Sequence, residues 1–423
     1  MDTAELERIV GVENVVAGAA AGEYAVNGVL PEAVVAPGTR EEAAAVIRLA
    51  AERRWSLVPY GGGTQMPLGR RASQLDLVLS TRRMDQVVDY QPDDMTITVE
   101  PGVTMAEVAA TLATRGQFLP LDPPEAVRAT VGGTVASAAF GPWCAGHGTP
   151  RDWVIGCRVV GIDGKEVRAG GLVVKNVAGY DLPKLYTGSF GTLGLITEVT
   201  FKVMPVPGIT GYTTVACDTP EQAEQLIAGI RNSDLLPSVV ELLGPVPVED
   251  GGPWRLFIQF LHVPEAVDWQ IDYLTSLAER LGARPQRLAE SAGAQLLAAL
   301  RETPHSLPFV ARIGTVSSKV TEIAAHAAAI IQRSGRTPLV QAHAVHGRVY
   351  ALAPDGDRAL AEELRKLARS SGANCLFPRL PEELVGDLDP WGEVGPERRL
   401  LEGIKRALDP QGVFSPGRFV GGL

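Results

Sequence analysis

The chain has 423 residues, a formal net charge of −10, 45% hydrophobic and 21% charged residues. That length allows two or three domains with large cores, and the acidic balance argues against nucleic acid as a partner, which requires an excess of Lys and Arg. No run approaches the ~18 apolar residues of a membrane-spanning helix, and the start MDTAELERIV lacks the basic and apolar blocks of a signal peptide, so a cytoplasmic protein is expected. Cys144, Cys157, Cys217 and Cys375 are scattered without a CxxC pair. That spacing suits buried thiols better than a disulfide framework or an iron–sulfur cluster held by this chain.

Along the chain, AVVAP (33–37) reads as a strand and TREEAAAVIRLAAERR (39–54) as a helix. Thr39 and Glu42 stand there at capping-box spacing. A second apolar run, LVPY, leads into Gly61-Gly62-Gly63, and LDLVLST (75–81) and 87–102 read as further strands. TMAEVAATLATRG (104–116) has helical spacing and ends on a glycine. Residues 152–169 form a hairpin pattern turning at Asp163-Gly164. LGLITEVTFKVMPVPG (193–208) is a long strand with a proline-spaced exit, and a domain boundary is placed at 207/208. From 209 to about 380 two similar strand–helix–strand–strand–helix series follow one another, which predicts an antiparallel sheet with helices on one face. Residues 381–423 are a helix and a Pro/Gly-rich stop, too few to bury a core of their own. They are expected to pack back on the first domain through Phe414, Pro416 and Arg418.

Three consecutive glycines after a strand are either a flexible connection or a backbone that must lie against something. Two further stretches bear on the choice: ATVGGTVASAAFGP (129–142), with Pro123-Pro124 before it, and YTGSFGTLGLITE (186–198). Clustered backbone N–H groups in such turns bind phosphate oxygens. None of the three is followed by the Lys-Ser/Thr of a P-loop, and no GxGxxG opens a helix with an acid ~20 residues on. A large ligand with a pyrophosphate, bound outside a Rossmann fold, points to FAD.

These stretches, with VVKNVAGYDLPKLY between them, resemble the FAD-binding domain of the vanillyl-alcohol oxidase and p-cresol methylhydroxylase (PCMH) superfamily. Within it, the chain is similar over nearly its whole length to the FAD-binding subunits of bacterial glycolate oxidase. The resemblance implies an α+β fold: a PCMH-type FAD-binding domain over 1–207, an antiparallel-sheet cap domain over 208–380, and a C-terminal segment, 381–423, returning to the first domain. It implies that Gly61, Gly62, Gly63 and Thr64, flanked by Pro59, Tyr60 and Gln65, hold the FAD pyrophosphate. Pro124, Thr130, Gly132, Gly133, Thr134 and Ser137 would line the flavin and phosphate side. Asp181, Gly194 and Ile196 would line the adenosine side, although Asp181 also reads as a helix-start acid and Ile196 as a core strand residue. Covalent relatives tether flavin through a histidine where Gly63 stands, so non-covalent FAD is expected.

Related 2-hydroxy-acid dehydrogenases bind a metal through HxGDGNLH and a later Glu-His pair. Here the matching stretch is HAVHGRVY (343–350), followed by CLFPRLPEE (375–383). His343 keeps the first ligand position, Tyr350 replaces the second and His346 replaces the aspartate, so no metal is expected. Arg312 reads either as a solvated strand-end residue or as a clamp on a substrate carboxylate, and Tyr350 and His346 as an acid or base. The resemblance also implies partners: a paralogous FAD-linked catalytic subunit, an iron–sulfur subunit, a small 2-hydroxy acid as substrate, and association with the periphery of a membrane through the complex. The alternatives are a self-sufficient FAD-dependent dehydrogenase and a subunit whose FAD is structural.

Overall fold

Thr39 caps the first long helix, Arg40–Arg53, by accepting from the Glu42 backbone N–H at 3.1 Å, while Glu42 accepts from Gly38 N at 2.7 Å. Its apolar face carries Ala43, Val46, Ile47 and Ala50 inward. The computed structural model describes residues 1–172, 179–246 and 252–423, so the VVKNVA part (173–178) of the motif above lies outside the described residues. The chain divides into two compact units. The first comprises 1–140, 149–205 and 393–423; the second comprises 141–148 and 206–392.

The first unit contains two main sheets. In one, Ala33–Val35, Leu77–Ser80 and Leu57–Tyr60 run parallel in that spatial order, with Val15–Ala17 antiparallel at the edge. In the other, five antiparallel strands lie in the order Val87–Gln91, Thr96–Val99, Leu195–Lys202, Val154–Val160 and Glu166–Gly170. The hairpin turning at Asp163-Gly164 joins the last two strands. Both sheets are needed to present the glycine stretches: the first ends at Tyr60, and the second begins its central strand just after Gly194.

The tail returns to this unit. Leu57 N donates to Val413 O and Ser415 N to Leu57 O, both at 2.8 Å, extending the parallel sheet by one bridge at Phe414. Phe414 is fully buried in the core of the Arg40–Arg53 helix. Lys405, in the helix Arg398–Leu408, donates to Thr192 O (2.8 Å), Phe414 O (2.8 Å) and the Asp409 carboxylate (2.7 Å). Asp409 in turn accepts from the Val413 and Phe414 N–H groups. One ammonium and one carboxylate thus satisfy most of the backbone of the turn that carries Phe414 inward.

The second unit is an eight-stranded antiparallel sheet built from two copies of one pattern. Ile209–Cys217, Pro237–Gly244, Trp254–His262 and Arg284–Leu288 form the first copy; Phe309–Gly314, Leu339–His343, Arg348–Ala353 and Asn374–Arg379 form the second. Each copy has spatial order 4-1-3-2, and the two join along their second strands, Glu241 opposite His343. Alternate residues face the helices Pro220–Arg231, Pro264–Arg280, Val320–Arg333 and Arg358–Ser370 in one continuous apolar core.

The boundaries expected at 207/208 and 380/381 stand at 205/206 and 392/393. Residues up to 392 stay with the second unit because Phe377 N donates to Pro390 O at 2.8 Å, Arg365 donates to Asp389 O, and Leu388 enters its core. Residues 141–148 also belong there: Trp143 Nε1 donates to Gln259 at 3.0 Å, and Gly146 packs on the backbone of Pro237 and Ser238.

Replacing Phe414 with Ala should destabilise the first unit by about 3–5 kcal/mol, the usual range for emptying a buried aromatic site. Urea unfolding followed by flavin fluorescence measures this; an unchanged midpoint would show that the tail adds nothing to that core.

Candidate functional site

In the first unit, the end of strand Leu57–Tyr60 opens into a cleft of about 720 Å³. Pro59, Tyr60, Gly61, Gly62, Gly63, Thr64 and Gln65 form one wall, and Thr130, Gly132, Gly133 and Ser137 another. Gly194 and Ile196 also line it. The structure thus brings all three glycine stretches to one place. Three other expected residues sit elsewhere. Pro124 is buried away from the lining, and Thr134 turns into the interior of helix Val131–Ser137 with 2% exposure. Asp181 caps helix Leu182–Tyr186, accepting from Lys184 N at 3.3 Å and pairing with Lys184 Nζ at 2.7 Å. That pairing holds its carboxyl below the usual range. Met66, Leu68, Phe190 and Arg418 line the cleft without having been singled out for it by the sequence.

The glycines are required on the side away from the cleft. A Cβ at Gly62 would collide with the Arg128 carbonyl, and one at Gly61 with the Thr130 hydroxyl. At Gly132 it would lie 2.6 Å from Pro101 Cβ. Gly63 has φ +77°, and a Cβ there would strike the Tyr60 hydroxyl. The two loops therefore interlock backbone to backbone, which leaves their surfaces toward the cleft free of side chains. This adds a second reason to the sequence argument, in which the ligand alone excluded side chains. A loop of this kind, opposite Gly132-Gly133, suits a pyrophosphate bound by main-chain N–H groups. The residues present fit FAD. The Tyr60 ring, stacked edge-on against Tyr24 at 5.1 Å, fills the place beside Gly63 where a tethering side chain would stand.

The second unit carries a different constellation on the sheet face opposite its four helices. Glu241 Oε1 lies 2.6 Å from His343 Nδ1, and Gln341 Nε2 donates to Glu241 Oε2 at 2.8 Å; Glu241 and His343 are 0% and 2% exposed. The Tyr350 ring meets the His343 ring edge-on at 5.4 Å, and its hydroxyl accepts from Arg348 at 3.2 Å. Arg312 is opposite Tyr350 in mid-strand. It is half-buried, and burial and the neighbouring Arg348 push its guanidinium down to about 9. His346 is exposed in the hairpin turn between Leu339–His343 and Arg348–Ala353. Glu241 and Arg348 gave no sequence signal, because only strand pairing brings them beside His343 and Tyr350.

Residues 31–170 match the family model of the FAD binding domain. Glycolate oxidase subunit GlcD of Bacillus subtilis is 33% identical over 214 residues, 51% of this chain and 46% of the relative. Glycolate oxidase subunit GlcE of Escherichia coli is 41% identical over 152 residues, 36% of this chain and 43% of the relative. The matches thus span less than half the length of either curated relative. The solved structure of p-cresol methylhydroxylase with substrate bound superposes with a TM-score of 0.78 at 18% identity, covering 98% of this chain and 95% of that one. The chain is a flavoprotein whose cofactor is FAD. Residues 31–170 carry an FAD binding domain, the fold is that of p-cresol methylhydroxylase, and glycolate oxidase subunits are among the similar proteins.

A Gly62→Asp substitution should reduce FAD retained through gel filtration at least tenfold, about 1.4 kcal/mol. The side chain would run into the Arg128 carbonyl and force the loop out of its place beside the second one. Acid precipitation of the unsubstituted protein should release all of its flavin. A fully yellow Gly62→Asp protein would contradict the first expectation, and flavin left in the pellet the second.

Proposed function

We propose that the chain is the FAD-carrying subunit of a glycolate oxidase-type complex that oxidises a 2-hydroxy acid, glycolate to glyoxylate, and passes electrons to an iron–sulfur partner. The observation that carries this reading is the cleft edged by the glycine backbone of the Gly61–Gly63 and Gly132–Gly133 loops in a chain similar to two different glycolate oxidase subunits. Those expected residues that line the cleft are proposed as the FAD contacts, held without a covalent bond. Bound FAD supplies an acceptor for two electrons and the hydrogen on the substrate's α carbon. The cysteines support a cluster carried by another chain: all four are buried, and burial pushes the thiols of Cys157 and Cys375 up to about 12 and that of Cys217 to about 11. A cluster needs thiolates. A paralogous FAD-linked subunit would then oxidise the substrate. Among the described residues no helix is long and apolar enough to cross a membrane; a cytoplasmic site, with any membrane contact made through the complex, is the corresponding proposal.

One observation favours a second reading, in which this chain oxidises a hydroxy acid itself. Arg312 lies opposite Tyr350 on the sheet face away from the four helices, and a guanidinium there is suited to grip a substrate carboxylate. The Glu241–His343 pair on the same face is the arrangement that would accept a hydroxyl proton without a metal.

Under the subunit reading, the FAD-loaded chain alone should be reduced slowly or not at all by glycolate or D-lactate. Activity should appear on adding the paralogous and iron–sulfur subunits, and His343→Ala should change it only a few-fold. Rapid bleaching of the isolated chain's flavin by glycolate, abolished by His343→Ala, would establish the second reading instead. In that case Arg312→Met should raise KM for the acid by at least tenfold, about 1.4 kcal/mol; an unchanged KM would remove Arg312 from the site.

A further inference from the structure

Helix Pro264–Arg280 turns Val267, Ile271, Leu274 and Ala278 into the core of the second unit, which leaves Glu265, Trp269, Asp272 and Ser276 in one outward row. Trp269 is 50% exposed and its neighbour Tyr273 38%. Their rings stack with centroids 5.6 Å apart, so each braces the other against the helix. Glu265 and Asp272 flank the indole within the row, and Asp268 beside them is already paired with Arg287 at 2.7 Å. Exposed aromatic side chains are what protein interfaces are enriched in. An acidic setting around them selects a cationic partner.

The chain also carries a surface of the opposite character. In helix Arg398–Leu408, Ile404 and Leu408 pack toward the core of the first unit, and Leu401 lines a groove beside it. Arg399, Leu400, Gly403 and Arg406 are left exposed, Leu400 at 66%. A Cβ at Gly403 would meet no described atom within 4 Å, so the row Arg399–Gly403–Arg406 has an open gap at its middle. The two rows match in spacing. Glu265, Trp269 and Asp272, like Arg399, Gly403 and Arg406, step by four and then three residues, which keeps to one helix face. The end charges therefore lie about 10.5 Å apart along the axis in each. One row reads acid, ring, acid; the other reads arginine, gap, arginine. Both are exposed in the single chain, so each is open to another copy.

We propose that the outward row of helix Pro264–Arg280 binds the tail helix Arg398–Leu408 of a second copy of this chain. With the helices antiparallel, Glu265 faces Arg406, Asp272 faces Arg399, the indole seats over Gly403, and Leu400 covers Tyr273. A contact between two unlike surfaces repeats from copy to copy, closing into a ring or extending. The species it builds has twice the chain's mass or a higher multiple. The proposal is independent of the cofactor and of the reaction.

The test is sedimentation velocity of the full chain from about 1 to about 100 μM. The unsubstituted protein should self-associate over that range, and raising NaCl from about 0.05 to about 0.5 M should weaken the association several-fold, since exposed charges are screened. Asp272→Arg and Arg399→Asp each set like charges opposite one another and should weaken it at least tenfold. Trp269→Ser should do the same by removing the anchor. The protein carrying both charge reversals should return to within about threefold of the unsubstituted one, because the pair is rebuilt with its signs exchanged. All three side chains are exposed, so these substitutions spare the core. A chain that stays monomeric throughout would overturn the proposal, as would self-association left unchanged by all three single substitutions. A double variant no stronger than either charge reversal alone would also overturn it, and would show that the two rows do not meet.

Discussion

The approach of Gly62 to the Arg128 carbonyl is the constraint on which the first unit is organised. Two loops from different sheets touch through main chain at a distance that no side chain permits. Everything around them serves to hold that contact. Strand Leu57–Tyr60 aims the first loop, and Thr130 accepts from Gly133 N to set the start of the second at 3.3 Å. The tail bonds on both sides of Leu57 and again at Arg70. The surface offered to the cofactor is what remains after the loops have satisfied one another: Gly132 N already donates to Pro101 O and Gly133 N to Thr130.

The second unit solves a different problem by alternation. One set of strand positions is mostly apolar and faces four helices; the other carries Gln259, Glu241, Gln341, His343, Tyr350 and Arg312, beside Val239 and Phe257 packed with helix Glu290–Glu302. Polar groups this well buried require partners. Several find them across the sheet: Trp143 with Gln259, Gln259 with Tyr212, Gln341 with Glu241, and Glu241 with His343. Because these are cross-strand pairs, the register along Pro237–Gly244 and Leu339–His343 fixes both the fold and the polar face. A slip of one residue would bury the whole set against the helices.

Much of this was legible in the sequence. The Thr39 N-cap, the Asp163-Gly164 hairpin and the doubled strand–helix series of the second unit are local signals with strong mechanisms and appear where expected, although Glu42 accepts from Gly38 N rather than closing a capping box on Thr39 N. The glycine stretches were legible for a related reason, since their composition is too unfavourable in entropy to persist without a use. Asp181 shows the limit: an acid before Leu-Pro-Lys satisfies a helix cap as well as it would a ribose, and the cap is what its neighbours accept. Residues 141–148 show another. A run of Gly, Pro and Trp that follows the second loop reads as its continuation, yet Trp143 finds its partner over a hundred residues away. Glu241 could not be placed from sequence because it belongs to no local pattern, and of Arg418 the return to the first domain was expected but not its place in the cleft lining. Their roles arise only from strand pairing and from the return of the tail.

That return has a consequence for the order of assembly. Arg418 meets the carbonyl of Leu68 across 350 residues of intervening chain, and the hydrogen bonds around Leu57 span a similar distance. During synthesis the two glycine loops leave the ribosome early, but the residues that close them emerge only after the entire eight-stranded unit has been made. Contacts of such long sequence separation form late. Flavin capture is therefore timed to the end of translation, when the second unit is already able to fold. A chain interrupted after Ser137 but before Val413 would carry both loops and still lack the clasp that sets them.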